Sequence, residues 1–257
     1  MSVTFAITGK GGVGKTTLSA LIIQWLVAAR KTPVLAVDAD SNANLNEALG
    51  IDYEASVGGI REEARQTAKD LTGISKQEFL DLRVQQSLVE ENGYDLIVMG
   101  RPEGPGCYCY ANNVLRDVIQ KIAVNYSHLV IDNEAGLEHL SRRTVLSVDY
   151  LIIVSDCSVR GVRTAGRIAK LAEEMGTPVK NRGLIINRAP DGVLPVGVKC
   201  EADATGLTLL GIIPYDHWVA RMDGGGEAVA TIPADSAART VVNGLLATLL
   251  EQTPSCV

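Results

Sequence analysis

A glycine-rich segment near the start of the chain constrains the fold more than any other feature. Residues 9–16 read Gly-Lys-Gly-Gly-Val-Gly-Lys-Thr and match the pattern G-x-x-x-x-G-K-[ST]. A short apolar run, residues 3–8, precedes the segment, and an apolar stretch of helical character, residues 17–29, follows it. In such loops, backbone N–H groups at a helix N-terminus cradle phosphate oxygens. The sequence therefore predicts a phosphate-binding loop between a buried strand and a helix.

Further apolar runs of strand length alternate with segments of helical spacing along the 257 residues. The expected strands after the first are 33–37, 94–99, 127–132, 149–154, 183–187 and 209–214; the expected helical segments after the first are 61–70, 76–90, 112–124, 162–175 and 236–250. This alternation predicts an α/β fold with a mostly parallel sheet of about seven strands and helices on both faces. No repeat or linker interrupts the pattern, so we expect a single domain over residues 1–257.

Charge and hydropathy exclude some classes of partner. The net charge is −6, which argues against nucleic acid because binding phosphates requires clustered Lys and Arg. No apolar run reaches the ~18 residues of a membrane span, so membrane insertion is not expected. The N-terminus lacks the basic and apolar regions of a secretory signal, and we expect a cytoplasmic protein.

The order of residues in the loop predicts a role for each of them. We expect Lys15 to pair with the β- and γ-phosphates of a nucleotide and the Thr16 hydroxyl to hold Mg²⁺. Thr17 is expected to add a phosphate contact. The remaining contacts to the nucleotide are expected from the loop residues Gly11, Gly12, Val13 and Gly14.

Acidic residues follow two of the expected strands. Asp38 and Asp40 close the second strand, and alternate residues of a strand point the same way. Asp132 ends a later strand and is expected to hold a water of the Mg²⁺. After it, Gly136 can turn its N–H toward the γ-phosphate. Ordinary use of these carboxylates in turns and caps is the alternative.

Lys10 adds a second lysine to the loop. With it, residues 10–16 resemble the deviant phosphate loop of the MinD, ParA and nitrogenase iron-protein class of ATPases. The resemblance implies ATP as the nucleotide and a homodimer in which Lys10 reaches the partner's nucleotide and supplies charge in trans, as an arginine finger does. It also implies that Asp38 lies near Mg²⁺ and that Asp40 orients the attacking water. A phosphate contact of Lys10 within its own chain is the alternative.

Two later loops are expected at the base of the nucleotide. Asn187 and Arg188 follow one expected strand, and Pro214 ends another. In the resembling ATPases, an asparagine at the first place hydrogen-bonds adenine and the second loop packs along the base. A side-chain amide donates and accepts at once, which suits N6 and N7 of adenine. Use of these residues as loop caps alone is the alternative.

Cys107 and Cys109 flank a tyrosine after a loop rich in glycine and proline, residues 100–106. Thiolates select soft metals such as Ni²⁺, Zn²⁺ or iron–sulfur clusters. One chain supplies two ligands where a closed site needs four, so a twofold dimer would complete a set of four thiolates. The residues alone leave open a pair of small buried cysteines without a metal.

Residues 106–109 and 132–140 resemble the CooC-type ATPases that mature nickel enzymes. The resemblance implies a nucleotide-dependent homodimer that carries Ni²⁺ or Zn²⁺ on Cys107 and Cys109 and delivers nickel to apo carbon monoxide dehydrogenase or acetyl-CoA synthase. An iron–sulfur scaffold ATPase, an electron-transfer iron protein and a MinD- or ParA-like positioning ATPase remain alternatives. The last finds little support, because residues 236–250 contain one cation, Arg239.

Overall fold

The computed structural model describes residues 2–67, 75–101, 108–134, 147–176 and 178–251. Within these ranges eight strands form one sheet, in the order β3-β4-β2-β5-β1-β6-β7-β8. Neighbouring strands are parallel except for the antiparallel pair of β3 and β4. The strands are β1 (Val3–Gly9), β2 (Val34–Ala39), β3 (Val89–Glu91), β4 (Tyr94–Val98), β5 (His128–Asn133), β6 (Val148–Asp156), β7 (Val179–Ala189) and β8 (Thr208–Pro214).

Helices cover both faces of this sheet. Helices α1 and α9 pack on one face, and α3 to α7 pack on the other. None of the helices in the described ranges is long and apolar enough to cross a membrane. The helices are α1 (Lys15–Ala28), α2 (Leu45–Leu49), α3 (Val57–Gln66), α4 (Lys76–Gln86), α5 (Tyr108–Ile122), α6 (Val159–Glu174), α7 (Val196–Ala204), α8 (His217–Gly225) and α9 (Ala237–Glu251).

Strand β2 shows why both faces need helices. Val34 and Ala36 are fully buried in the cluster that contains α1, whereas Leu35 and Val37 are fully buried in the cluster that contains α3, α4 and α5. Side chains alternate between the faces of a strand, so a strand that is apolar at every position requires cover on both sides. The α/β fold and the parallel sheet predicted from the sequence are confirmed.

The predicted strand number was one short. We expected residues 76–90 to be helical, but α4 ends at Gln86 and β3 follows at Val89–Glu91. Strand β3 pairs only with β4, at the edge of the sheet, and Glu90 and Glu91 are exposed there. A three-residue edge strand has no apolar alternation of its own, because its pairing rather than its burial defines it.

The parallel strands end together at one edge of the sheet. Gly9 at the end of β1 lies beside Val154 of β6. Asp38 near the end of β2 lies directly beside Asp132 of β5. Ligands of such sheets bind outside the carboxyl ends of the strands, and the predicted functional residues that the structure describes collect at this edge.

Candidate nucleotide site

The phosphate loop lies between β1 and α1, as the motif predicts. A Cβ at Gly9 would lie 2.3 Å from the carbonyl oxygen of Val154, so only glycine fits against β6. Gly14, with φ of +92°, precedes the first turn of α1, and its carbonyl accepts a hydrogen bond from Leu18 N–H. The first-turn N–H groups of α1 therefore lack helical partners and face the loop, which is the arrangement that binds phosphate.

The two lysines of the loop have different surroundings. Lys15 opens α1, is buried, and donates from Nζ to the carbonyl oxygen of Lys10 at 3.4 Å. Its ammonium therefore lies over the loop, where phosphates would sit. The side chain of Lys10 is exposed and does not line the cavity formed by the rest of the loop. The role of Lys10 at the nucleotide of a partner chain stays a prediction.

Asp38 and Asp132 form a buried carboxylate pair on neighbouring strands. Asp38 accepts from the N–H groups of Asp40, at 3.0 Å, and Leu45, at 2.9 Å. Asp132 accepts from the Ser19 hydroxyl at 3.2 Å. Two acidic groups buried side by side are unfavourable when both are ionised. The pair is therefore a place where a cation would be stabilised.

Burial shifts the pKa of both carboxyls in the same direction. Loss of solvent and the neighbouring Asp132 raise the pKa of Asp38 to about 7. Loss of solvent raises the pKa of Asp132 to about 6, although hydrogen bonds from Thr16 and Ser19 and the charge of Lys15 oppose it. Because the pKa of Asp38 is about 7, this carboxyl is partly protonated near neutral pH, and a bound cation would displace the proton.

A cavity of about 520 Å³ opens above the phosphate loop. Asp40 faces it, and Asn42 holds one of the Asp40 oxygens through its backbone N–H, at 2.8 Å, and its side-chain amide, at 3.1 Å. Glu134 also lines the cavity, and the Ser41 hydroxyl donates to it at 3.4 Å. The described cavity therefore brings together Gly11, Gly12, Gly14, Lys15, Thr16, Thr17 and Asp40.

A second cavity, of about 390 Å³, adjoins the loop on the side of β7 and β8. Apolar side chains form much of its wall: Leu18, Leu21, Ile213, Pro214, Val219 and Ala220. Gly14, Thr17, Arg188 and Asp223 line both this cavity and the phosphate cavity, so the two adjoin. One polar and one apolar compartment match the phosphates and the base of a nucleotide. Pro214 lines the apolar one, and its contact with the base stays a prediction.

Asn187 connects β7 to the phosphate loop. Its Nδ2 donates to the carbonyl oxygen of Val13 at 2.8 Å, and its Oδ1 accepts from Arg188 N–H at 2.9 Å. The Arg188 guanidinium in turn donates to the carbonyl oxygen of Gly12 at 3.2 Å. Asn187 lines the base cavity with its second amide hydrogen left for a ligand. Its contact with adenine stays a prediction, and its role in fixing the loop is an addition from the structure.

Asp216 is a structural carboxylate whose role the sequence analysis missed. One oxygen accepts from Trp218 N–H at 2.8 Å and caps α8, and the other accepts from Ser236 Oγ, at 2.7 Å, and Ala238 N–H, at 2.9 Å. Burial alone would raise the pKa of Asp216, but these hydrogen bonds outweigh it and lower the pKa. An aspartate just before a helix was the available signal for the cap.

Three predicted site residues cannot be compared with the structure. Gly136 and Cys107 lie outside the described residues. Cys109 lies in the first turn of α5, but its side chain is outside the described part. Among the side chains that are described, no three of His, Cys, Asp and Glu gather as a metal-ligand group.

Residues 4–229 match the CobQ/CobB/MinD/ParA nucleotide-binding domain family. The chain belongs to this family. An ATP-binding protein of Methanocaldococcus jannaschii is 42% identical over 90% of this chain and 92% of its own length. The carbon monoxide dehydrogenase accessory protein CooC of Rhodospirillum rubrum is 33% identical over 96% of each chain.

Solved structures show the same fold. The septum site-determining protein MinD of Pyrococcus horikoshii, complexed with Mg-ADP, covers all of this chain with a TM-score of 0.71 and 20% identity. A ParA family ATPase of Chlorobium tepidum covers 95% of it, also with a TM-score of 0.71 and 20% identity. Family membership and the paired cavities identify the chain as a nucleotide-binding ATPase with a MinD- and ParA-like fold. The finer resemblance to CooC-type ATPases has the support of one relative.

Proposed function

We propose that the chain is an ATP-driven nickel carrier of the CooC type. The observation that carries the proposal is the 33% identity with the Rhodospirillum CooC over nearly the full length of both chains, together with the pair Cys107 and Cys109. In this proposal two copies meet face to face around ATP. Their four thiolates hold one Ni²⁺, and the carrier passes it to apo carbon monoxide dehydrogenase or acetyl-CoA synthase.

The described structure supports a link between the cysteine segment and the nucleotide. Strand β4, which precedes that segment, lies beside β2, and Met99 N–H donates to the carbonyl oxygen of Asp38 at 2.8 Å. Met99, which precedes Cys107 in the sequence, therefore lies next to the buried carboxylate pair. A change around Asp38 on nucleotide binding would reach the start of this segment through one hydrogen bond.

Hydrolysis needs only positioning and charge from this site. In the proposal Lys15 pairs with the β- and γ-phosphates, and the exposed Lys10 reaches the partner's nucleotide. Asp40, held by Asn42, orients the water that attacks the γ-phosphate. In the proposal, the N–H of Gly136 donates a hydrogen bond to the γ-phosphate and loses this bond when the phosphate leaves.

The residues around the carboxylate pair fit Mg²⁺. Two buried carboxyls of raised pKa beside a threonine hydroxyl offer the hard oxygen ligands that this ion prefers. Thr16 would bind it directly, and Asp38 and Asp132 would hold its waters. Mg²⁺ held there would supply positive charge against the negative charge that develops on the phosphates.

The cargo site is tested by metal analysis of the purified protein, loaded with Ni²⁺ and separated by gel filtration with and without ATP. We expect nickel in the dimer fraction of the wild type and its loss when Cys107→Ser is combined with Cys109→Ser. ATP binding should persist in that variant. Cys200→Ser is the matched control, because Cys200 is an exposed free cysteine elsewhere.

Unchanged nickel content in the double variant would refute the thiolate site. Zinc retained in preference to added nickel would leave a metal carrier but remove nickel as its cargo. Stoichiometric iron and sulfide in the protein would instead favour the iron–sulfur scaffold ATPase. Loss of metal in Cys200→Ser as well would show that the assay does not report on Cys107 and Cys109.

A further inference from the structure

A groove of about 840 Å³ lies away from the nucleotide site. Helix α6 forms one side, the starts of β7 and β8 form the floor, and the end of α7 forms the other side. The starts of parallel strands face the opposite edge of the sheet from the phosphate loop. The groove is larger than either compartment of the nucleotide site, at about 520 and 390 Å³, and the proposed ATPase cycle makes no use of it.

Close packing of α6 against the end of α7 shapes this groove. A Cβ at Gly166 would lie 3.0 Å from Cγ2 of Thr205, so the glycine lets the two elements approach. Arg163 fixes them from outside, with a two-point ion pair to Glu201 at 3.0 and 2.8 Å. Helices α6 and α7, which form the two sides of the groove, are therefore joined to each other by direct contacts.

Cations concentrate in the groove although the whole chain carries a net charge of −6. Its described lining contains two acids, Glu173 and Glu201, and five cations: Arg163, Arg167, Lys170, Lys180 and Arg182. Four of these cations pair with Glu201, Glu174, Asp149 or Glu173, so within the described ranges the unopposed positive charge of the groove lies at Arg167.

Two of the arginines retain unused hydrogen-bonding capacity. Arg167 is exposed and has no ion pair or hydrogen bond in the described structure. Arg182 contacts Glu173 through one terminal nitrogen at 3.4 Å, while its buried Nε has no hydrogen-bond partner among the described residues. The exposed Arg167 guanidinium can donate two parallel hydrogen bonds to a carboxylate, the geometry that arginine prefers, and Arg182 can donate from its other terminal nitrogen.

We propose that this groove binds an acidic segment of a partner protein, with its carboxylates on Arg167 and Arg182. Acids around the groove favour a peptide over nucleic acid. Lys180 pairs with Asp149 at 2.6 Å and Lys170 with Glu174 at 3.9 Å, so the surface alternates in sign. A continuous phosphate backbone needs several unopposed cations in a row, whereas separated carboxylates can avoid the acids.

The test measures fluorescence anisotropy of a labelled short polyglutamate peptide with the full chain, without nucleotide. We expect saturable binding to the wild type and at least ~10-fold weaker binding by Arg167→Glu. Arg167→Lys keeps the charge but loses the fork and should give an intermediate affinity. Lys199→Glu is the matched control, because it makes the same charge change at an exposed position of α7 outside the groove, and it should change affinity less than ~2-fold.

Arg182→Gln gives a second readout and should also weaken binding. Absence of peptide binding by the wild type, or equal losses in Arg167→Glu and Lys199→Glu, would overturn the proposal. Tighter binding of an oligothymidylate of equal charge would overturn it in favour of nucleic acid. ATP hydrolysis should be unchanged in Arg167→Glu, so this result is independent of the nickel-carrier proposal.

Discussion

The phosphate and base compartments of the nucleotide site both contain buried aspartates, but their environments differ. Asp38 and Asp132 crowd each other, and burial raises the pKa of both. Asp216 beside the base cavity receives hydrogen bonds from the starts of two helices, and its pKa is lowered. A buried carboxylate with enough donors is already stabilised by the fold. Asp38 and Asp132 lack enough hydrogen-bond donors to offset their burial, so a cation bound beside them would stabilise their ionised forms.

This comparison divides the site by task. In the phosphate compartment, buried charge is left for a ligand to stabilise, so substitutions there should act mainly on hydrolysis. In the apolar base compartment, the carboxylate of Asp216 is already hydrogen-bonded within the protein. Substitutions there should therefore act mainly on stability and on affinity for the nucleotide.

Lys15→Ala should have the largest effect. It removes the ammonium that lies over the phosphate loop, so we expect kcat for ATP hydrolysis to fall by ~10²–10³-fold. The pKa of Asp132 should rise further in this variant, because the charge of Lys15 opposes that shift. Lys199→Ala, at an exposed helix position, should hydrolyse ATP at the wild-type rate. A Lys15→Ala variant with near-normal kcat would show that the phosphates bind elsewhere.

Asp216→Ala should destabilise the fold around the base compartment. It leaves the N–H groups of Trp218 and Ala238 and the Ser236 hydroxyl without their acceptor, so urea unfolding should show a loss of about 2–4 kcal/mol. In the folded fraction KM should rise more than kcat falls. Asp223→Ala is the control: Asp223 also lines the cavity but is exposed, and its loss should be within ~0.5 kcal/mol. Equal losses of unfolding free energy in both variants would show that the hydrogen bonds of Asp216 do not stabilise the fold.

The smallest expected effect is a pH dependence of stability without Mg²⁺ or nucleotide. Because the folded pKa of Asp38 is about 7 and the usual value is 3.8, the folded state binds more protons than the unfolded state between these values. The free energy of unfolding should therefore fall as pH rises from about 4 to 7, by about 1–3 kcal/mol from this group. Asp38→Asn should flatten this slope in urea titrations. An identical slope in the variant would contradict the assignment.

The sequence predicted those features that contiguous residues encode. The phosphate loop is one unbroken motif after a strand, so its place and partners followed from local chemistry. Asp38 and Asp132 could be placed at the same edge, but their direct adjacency depends on the register of β2 and β5. The hydrogen bond from Ser236 to Asp216 could not be predicted, because the two residues are separated in sequence and meet only after α8 and α9 pack.

The basic groove was hidden for a similar reason. Its cations come from α6 and β7, its closing Glu201 comes from α7, and the acidic composition of the chain points away from it. Strand β3 was missed because three residues at a sheet edge carry no periodic signal. In each case the feature depends on which elements become neighbours.

Mixing two inactive variants tests most directly the claim that ATP joins two copies through Lys10. Lys10→Ala lacks the lysine given to the partner, and Asp40→Asn lacks the carboxylate that orients water in its own site. In a mixed dimer, the Lys10→Ala chain keeps Asp40 and receives Lys10 from the other chain, so one complete site forms. We predict that an equal mixture recovers about a quarter of the wild-type rate of ATP hydrolysis, because half of randomly paired dimers are mixed and each has one such site. A mixture as inactive as its two components would show that Lys10 acts within its own chain and would contradict the account.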